Sequence, residues 1–273
     1  MTTRSKHCIG DATGDQLGEG GASPTRPLIG KAWQRTIREK KSLEGGDGDL
    51  FGCPAVPPID SAELREISHS AASSVILEYE WLGTMGTTQR HYGVFFGGEL
   101  AGAVCFGYFQ GMQGYATYVG DRYAKLGTQL SRGACVHWAH PHSGSKLISW
   151  ALRQEARKGY KFAIAFSDPD AGEIGTLYQA TNWHYLGFTK DTHWDIYHKD
   201  GRLFLNDRDL FKKYGFRGAG KIDQWLRDKP HLERRLRKPK GRYTTLMGTR
   251  KENKEMMHVL ERHIKPYPKR DVL

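Results

Sequence analysis

The sequence contains no run of about 18 apolar residues, so a helical membrane span is excluded. The opening residues, Met1–Gln16, lack the apolar stretch of a secretory leader. Cysteine is scarce. The four present, Cys8, Cys53, Cys105 and Cys135, show no CxxC spacing, which excludes a zinc ribbon and leaves reduced thiols in a cytoplasm as the expected state. No internal repeat is present. The first 201 residues also lack a charge surplus. The whole chain of 273 residues holds 41 Lys+Arg against 30 Asp+Glu; residues 1–201 account for 20 against 21, leaving 21 against 9 in residues 202–273.

The net charge of +11 therefore arises entirely in the last quarter of the chain, most densely over Lys229–Arg242. Such a segment attracts a polyanion and releases its counterions, giving salt-sensitive, sequence-blind affinity. A solvated basic tail is the plainer alternative. Interleaved aromatics (Phe204, Phe211, Tyr214, Phe216, Trp225, Tyr243) favour a folded region that contacts nucleic acid. Lys212, Lys213, Arg217, Lys221, Arg234, Arg235, Arg237, Lys238, Lys240 and Arg242 are the candidates for phosphate contacts, which position rather than specify. With 38% hydrophobic residues, a core domain of about 150–180 residues is expected.

Residues 1–55 are glycine-rich and lack periodicity, so they read as disordered apart from a short helix near Lys31–Lys41. Asp60 or Ser61 is suited to cap a helix carrying Leu64, Ile67, Ala71 and Val75. Arg90–Phe96 and Glu99–Tyr108 read as strands joined at Gly97-Gly98, and Thr128–Val136 as another. A helix is expected over Lys146–Lys158, followed by a buried strand at Lys161–Phe166, a helix over Thr176–Asn182, and strands at His184–Thr189 and His193–His198. The predicted organisation is an α/β core over residues 56–200. Residues 201–273 then supply a basic insertion and the last strands.

This order resembles the acetyltransferase-like GNAT fold, a mixed central sheet flanked by helices. In that fold the loop opening the third helix receives an acyl-coenzyme A, whose pyrophosphate is held by free amides at the helix N-terminus. Here the corresponding loop is His142-Ser143-Gly144-Ser145-Lys146, which differs from the usual glycine-rich pattern.

The most informative stretch runs Phe166-Ser-Asp168-Pro-Asp-Ala-Gly172-Glu-Ile-Gly175-Thr-Leu-Tyr178-Gln179-Ala-Thr-Asn182-Trp183-His-Tyr185-Leu-Gly187. Together with Leu130-Ser-Arg132, Lys240-Gly-Arg-Tyr243 and Lys265-Pro-Tyr-Pro-Lys269, it resembles the phage Mom family of GNAT-like proteins that modify adenine in DNA. The resemblance covers Ile59 to the C-terminus. It implies transfer of a carbamoylmethyl (acetamido-type) group to adenine N6, protection of double-stranded DNA from restriction, Fe(II), and an acyl-CoA or other acyl or aminoacyl donor. A general acyl-CoA-dependent N-acetyltransferase acting on a small molecule, protein or RNA is the alternative. The oligomeric state is open, a dimer included.

Asp168, at a strand end, is suited to ligate a metal or orient a base, or simply to start an Asp-Pro turn. Tyr178 stands where GNAT enzymes commonly carry a general acid; packing is the alternative. Arg132 is the one basic residue of its strand and must pair with phosphate or with a carboxylate such as Asp168. Gln179 and Asn182 suit an adenine edge or a helix cap, and Trp183 and Tyr185 suit base stacking or the core. The family's His-Tyr pair before Leu-Gly is replaced by Tyr79-Glu80-Trp81, so Glu80, with His91 and Asp168, forms the candidate metal set. His137, His140 and His142 form a second histidine group, suited to metal or to phosphate.

Overall fold

The computed structural model describes residues 32–44, 56–108, 112–190 and 193–269. Most of the expected N-terminal disorder, at 1–31 and 45–55, lies outside the described residues. Between them, α1 (Trp33–Glu44) occupies the place expected for a short helix.

The sequence pattern that builds the sheet is alternation. In β5 (Phe162–Ser167), Ala163 and Ala165 enter the main core while Phe162 and Ile164 enter a second cluster on the opposite face. That second face is covered by α3 (Ala116–Val119) and α8 (Arg250–Leu260) through Val119 and Met256. The main core is closed by α2 (His69–Tyr79) and α4 (Ser143–Arg157), whose Val75, Ile76, Leu147, Ile148 and Ala151 recur at helical spacing.

Seven strands form the large sheet. In spatial order they are β1 (Glu63–Glu66), β2 (Thr88–Phe96), β3 (Glu99–Gly107), β4 (Gly127–Cys135), β5, β10 (Gly241–Leu246) and β6 (His184–Phe188). All neighbours are antiparallel except β4 and β5, which are parallel. This is the mixed central sheet that the GNAT resemblance implied.

Two expectations are corrected. The helix expected from Asp60 begins at His69 instead, capped by Ser68 Oγ on the Ala71 amide. Residues 63–66 pair along the sheet edge as β1, with Leu64 opposite Val94 and packed on the core while its charged neighbours stay largely exposed. The strand at 193–198 leaves the core. As β7 (Trp194–His198) it centres a separate three-stranded sheet between β8 (Leu203–Leu205) and β9 (Leu232–Leu236). With α6 (Asp207–Tyr214) and α7 (Ala219–Leu226), this sheet buries its own small core of Ile196, Leu210, Ile222 and Leu232. The insertion thus starts near residue 193, and the chain returns to the large sheet as β10.

Candidate active site

Parallel pairing between β4 and β5 covers only Gly127–Leu130 against Phe162–Ala165. Beyond it, β4 stays with β3 as far as Cys135, while β5 stays with β10. The two strands part, and a cleft opens between Ser131–Gly133 and Phe166. It comprises two adjoining hollows of about 230 and 110 Å³ that share Glu80, Leu130, Ser131, Arg132, Phe166 and Glu173.

Separate elements deliver the polar groups. β4 brings Arg132, the C-terminal end of α2 brings Glu80, and the loop after β5 brings Asp168 and Glu173. Tyr178 comes from α5 (Thr176–Ala180), and Lys240 from the residue before β10. Arg132, Asp168 and Tyr178, predicted from sequence, therefore converge on one cleft, and Glu80 joins them.

The pairing differs from expectation. Arg132 does not meet Asp168. Its Nε donates to the Thr84 carbonyl at 2.6 Å and stands 3.8 Å from Glu80 Oε2. Asp168 accepts from the Asp170 amide through Oδ1 and faces Lys240 Nζ, 2.7 Å from Oδ2. The short turn Pro169–Ala171 that follows Asp168 fixes both oxygens: its first amide takes one and leaves the other for the lysine.

Glu173 was not singled out in the sequence. It lines both hollows and has no ion-pair partner among the described residues. Burial, with Glu80 and Asp168 adding negative charge nearby, pushes its carboxyl up to about 8, so it holds a proton at neutral pH. Burial also raises Glu80, against the opposing pull of Arg132. The signal that marks Glu173 is its flanking pair, Gly172 and Gly175, both left-handed at φ 68° and 72°. A Cβ on Gly175 would stand 2.5 Å from the Tyr243 ring, so this loop is pinned to β10 and Glu173 is aimed by it.

Burial raises the Tyr178 phenol, with the carboxyl groups of Glu173 and Glu80 acting in the same direction, so it stays protonated. Its ring packs 5.3 Å from Trp183 and 5.1 Å from Tyr243, and its hydroxyl makes no hydrogen bond to a described residue. The phenol thus lines the larger hollow in its protonated form.

Several expected base-reading groups serve the fold. Gln179 Nε2 donates to the Ile174 carbonyl at 2.9 Å, holding the Glu173 loop. Asn182 takes a left-handed turn conformation at φ 58° after α5. Trp183 is 0% exposed and Tyr185 4%, so neither offers a stacking face.

The expected metal set is not assembled. His91 packs edge-on against His69, the first residue of α2, while Glu80 is that helix's C-cap. Eleven helical residues separate the two ends, about 16 Å. Glu80 and Asp168 each already face a cation, and no group of three metal-ligating side chains occurs among the described residues. These residues do not fit iron. The second histidine group is divided too: His137 Nδ1 lies 2.8 Å from the Tyr79 hydroxyl, and His140 Nδ1 accepts from the His142 amide.

The expected donor loop opens α4 beside the cleft. Gly144 packs on Leu177, which with Ile148 lines the larger hollow. Ser143 Oγ is buried without a hydrogen-bond partner, and Gly144 and Ser145 carry first-turn amides, a set that fits an anionic donor such as acyl-CoA. Lys146 takes no part, because its Nζ donates to the Ile59 carbonyl at 2.7 Å.

In the basic region most strand cations are neutralised internally. Arg234 meets Asp223, Arg235 meets Glu233, Arg237 meets Asp195, and Lys238 lies 3.9 Å from Asp170. Arg242 donates to the Phe188 carbonyl, and Arg217 meets Asp207. Lys212 and Lys213, in the last turn of α6, stand exposed with no acidic partner among the described residues.

A model of the Mom protein family matches residues 61–269. The methylcarbamoylase Mom of Escherichia phage Mu is 24% identical over 256 residues, covering 90% of this chain and 98% of that protein. Among solved structures, an N-acetyltransferase from Staphylococcus aureus Mu50 shares 13% identity, covering 68% of this chain and 98% of that one at a TM-score of 0.37. The ribosomal-protein-S18-alanine N-acetyltransferase from Escherichia coli shares 8%, covering 69% and 95% at a TM-score of 0.39. With the family match spanning the cleft, the large sheet and the inserted sheet alike, the chain belongs to the Mom protein family.

Proposed function

We propose that this protein is a DNA-modifying transferase that places a carbamoylmethyl (acetamido-type) group on adenine N6 of double-stranded DNA, inside the host bacterial cell, and so shields that DNA from restriction nucleases. The observation that carries the reading is the convergence of Arg132, Asp168 and Tyr178 on one cleft where β4 and β5 part, in a chain of the Mom family.

The chemistry follows from the charge states. Transfer onto an exocyclic amine needs a group that takes the nitrogen's proton and a group that protonates the departing atom. Glu173, pushed up to about 8, performs the first task through its ionised fraction, which grows as pH rises through about 8. Tyr178, held protonated by burial, suits the second. Asp168, fixed by Lys240, and Arg132, fixed by Thr84 and Glu80, form rigid polar walls that orient the reactants. The donor, held at the first turn of α4, would carry the carbamoylmethyl unit by its methylene carbon: the N6–carbon bond forms as that carbon's bond to the leaving atom breaks, and Tyr178 protonates the atom released. Adenine N6 lies in the major groove, so reaching this recessed cleft requires extrusion of the base, at a few kcal/mol of unstacking. Phosphate contacts by the inserted basic sheet and helices would offset that cost.

Mass spectrometry of nucleosides from a plasmid co-expressed with this protein tests the reading. A modified deoxyadenosine is expected. Unmodified nucleosides from cells that contain the folded protein would overturn it.

A further inference from the structure

Helix α1 lies before the region matched by the family model, which starts at residue 61, yet it sits on the cleft. Ala32 and Gln34 line the larger hollow. Gln34 Nε2 donates to the Gly133 carbonyl at 2.5 Å, on the part of β4 that β5 has left. One turn on, Arg38 donates to the carbonyls of His137 (3.2 Å) and Ala139 (2.7 Å), just past the end of β4. Trp33 packs edge-on against Trp81 at 5.2 Å across the mouth, and Lys41 meets Glu78 on α2 at 2.6 Å.

These contacts are almost all polar and peripheral. No residue of α1 is buried, and Ile37 is its sole side chain packed against the main core. A helix held by a few side-chain tethers, with little apolar burial, opens far more readily than the sheet it rests on. Its removal would free the Gly133, His137 and Ala139 carbonyls together, along the rim where a donor's extended arm would run.

We propose that α1 is a gate: it closes the β4 rim of the cleft through Gln34 and Arg38 and must undock to admit the donor of the transferred group. The donor's identity rests on the function proposed above; the gate itself does not. Cys135 serves as a reporter: this half-buried thiol ends β4 close to Gly144 at the start of α4 and within the field of the Arg38 guanidinium. Cys105, on β3, is 0% exposed and serves as the internal control.

The test uses the full chain without donor or DNA. A maleimide is applied over time, labelled cysteines are mapped by peptide mass spectrometry, and backbone hydrogen exchange is followed in parallel. In the unsubstituted protein, α1 amides should exchange at least a hundredfold faster than those of α4, and Cys135 should label at the pace of α1 opening while Cys105 stays unlabelled. In the Gln34→Ala/Arg38→Ala variant, Cys135 labelling should accelerate at least tenfold with Cys105 still protected. Labelling of Cys135 and Cys105 together at one slow rate in the unsubstituted protein would overturn the gate. So would an unchanged Cys135 rate in the double variant. Neither readout involves modified DNA, so failure of the gate is distinguishable from failure of the proposed activity.

Discussion

Lys240 Nζ lies 2.7 Å from Asp168 Oδ2, joining the residue that enters β10 to the residue that leaves β5. The pair sets the charge of the cleft, because Lys240 also holds down the proton affinity of Glu173 and Glu80. Replacing Lys240 by Met should raise the Glu173 ionisation further above about 8. Because Glu173 must be ionised to take a proton, the limb of the pH–rate profile on which DNA modification rises with pH should move to higher pH in the variant. An unmoved limb would show that Lys240 does not act on that carboxyl.

Tyr178→Phe removes one hydroxyl that bonds to no described residue and leaves the ring packed between Trp183 and Tyr243. Modification should fall by about 10²-fold or more, with thermal stability unchanged within a degree or two. Nucleoside mass spectrometry and a melting curve on the same preparation check both halves.

Glu173 yields a stability test that needs no substrate. Its folded ionisation, about 8, stands above the ordinary 4.5, so the folded state binds this proton more tightly than the unfolded chain. The stabilising contribution of the neutral carboxyl is fully present below about 4.5 and declines as pH rises through about 8. Glu173→Gln, neutral at every pH, should lose this decline, so its melting temperature should exceed that of the unsubstituted protein at pH 9. Parallel melting curves from pH 5 to 9 would reveal a shared slope if the residue were not buried as described.

DNA affinity should depend on the unpaired cations of α6 more than on the paired arginines of β9. Lys212→Gln with Lys213→Gln should weaken binding to all sequences alike and reduce the slope of log K against log salt by about 1.8. Arg234→Gln with Arg235→Gln removes charges already matched by Asp223 and Glu233, and should mainly loosen the small sheet. Anisotropy titrations at several salt concentrations separate the two, and equal salt slopes for both variants would overturn the distinction.

Trp183→Ala should destabilise the protein by about 3–5 kcal/mol, since the indole is wholly buried beside Tyr178. Denaturant titration measures this. A cost below about 1 kcal/mol would restore Trp183 as a candidate base-stacking residue.

The sequence made the strands legible where side chains alternate around short turns, as in β2, β3 and β5, and made α4 legible through its apolar stripe. It misplaced the start of α2 because Leu64 and Ile67 fit a helical period as well as an edge strand, and the pairing with Val94 decides between them. Asp168, Tyr178 and Arg132 were found because a distinctive string surrounds the first two and an isolated charge marks the third. Their partners were not. Whether Arg132 meets Asp168 or Glu80 depends on how far β4 diverges from β5, a tertiary fact with no local signal. Gln179 and Trp183 suited a nucleobase by chemistry alone; a hydrogen bond to the Ile174 carbonyl ties the first to the scaffold and burial the second.

The position of β10 also has a consequence for synthesis on the ribosome. β10 is the sole sheet neighbour of β6 and lies between it and β5, yet more than fifty residues, including the whole inserted sheet, separate the start of β6 from β10 in the chain. Until residue 246 has emerged from the exit tunnel, β6 has no partner and Asp168 no lysine. The Asp168–Lys240 wall of the cleft therefore closes only after the inserted sheet has had time to form.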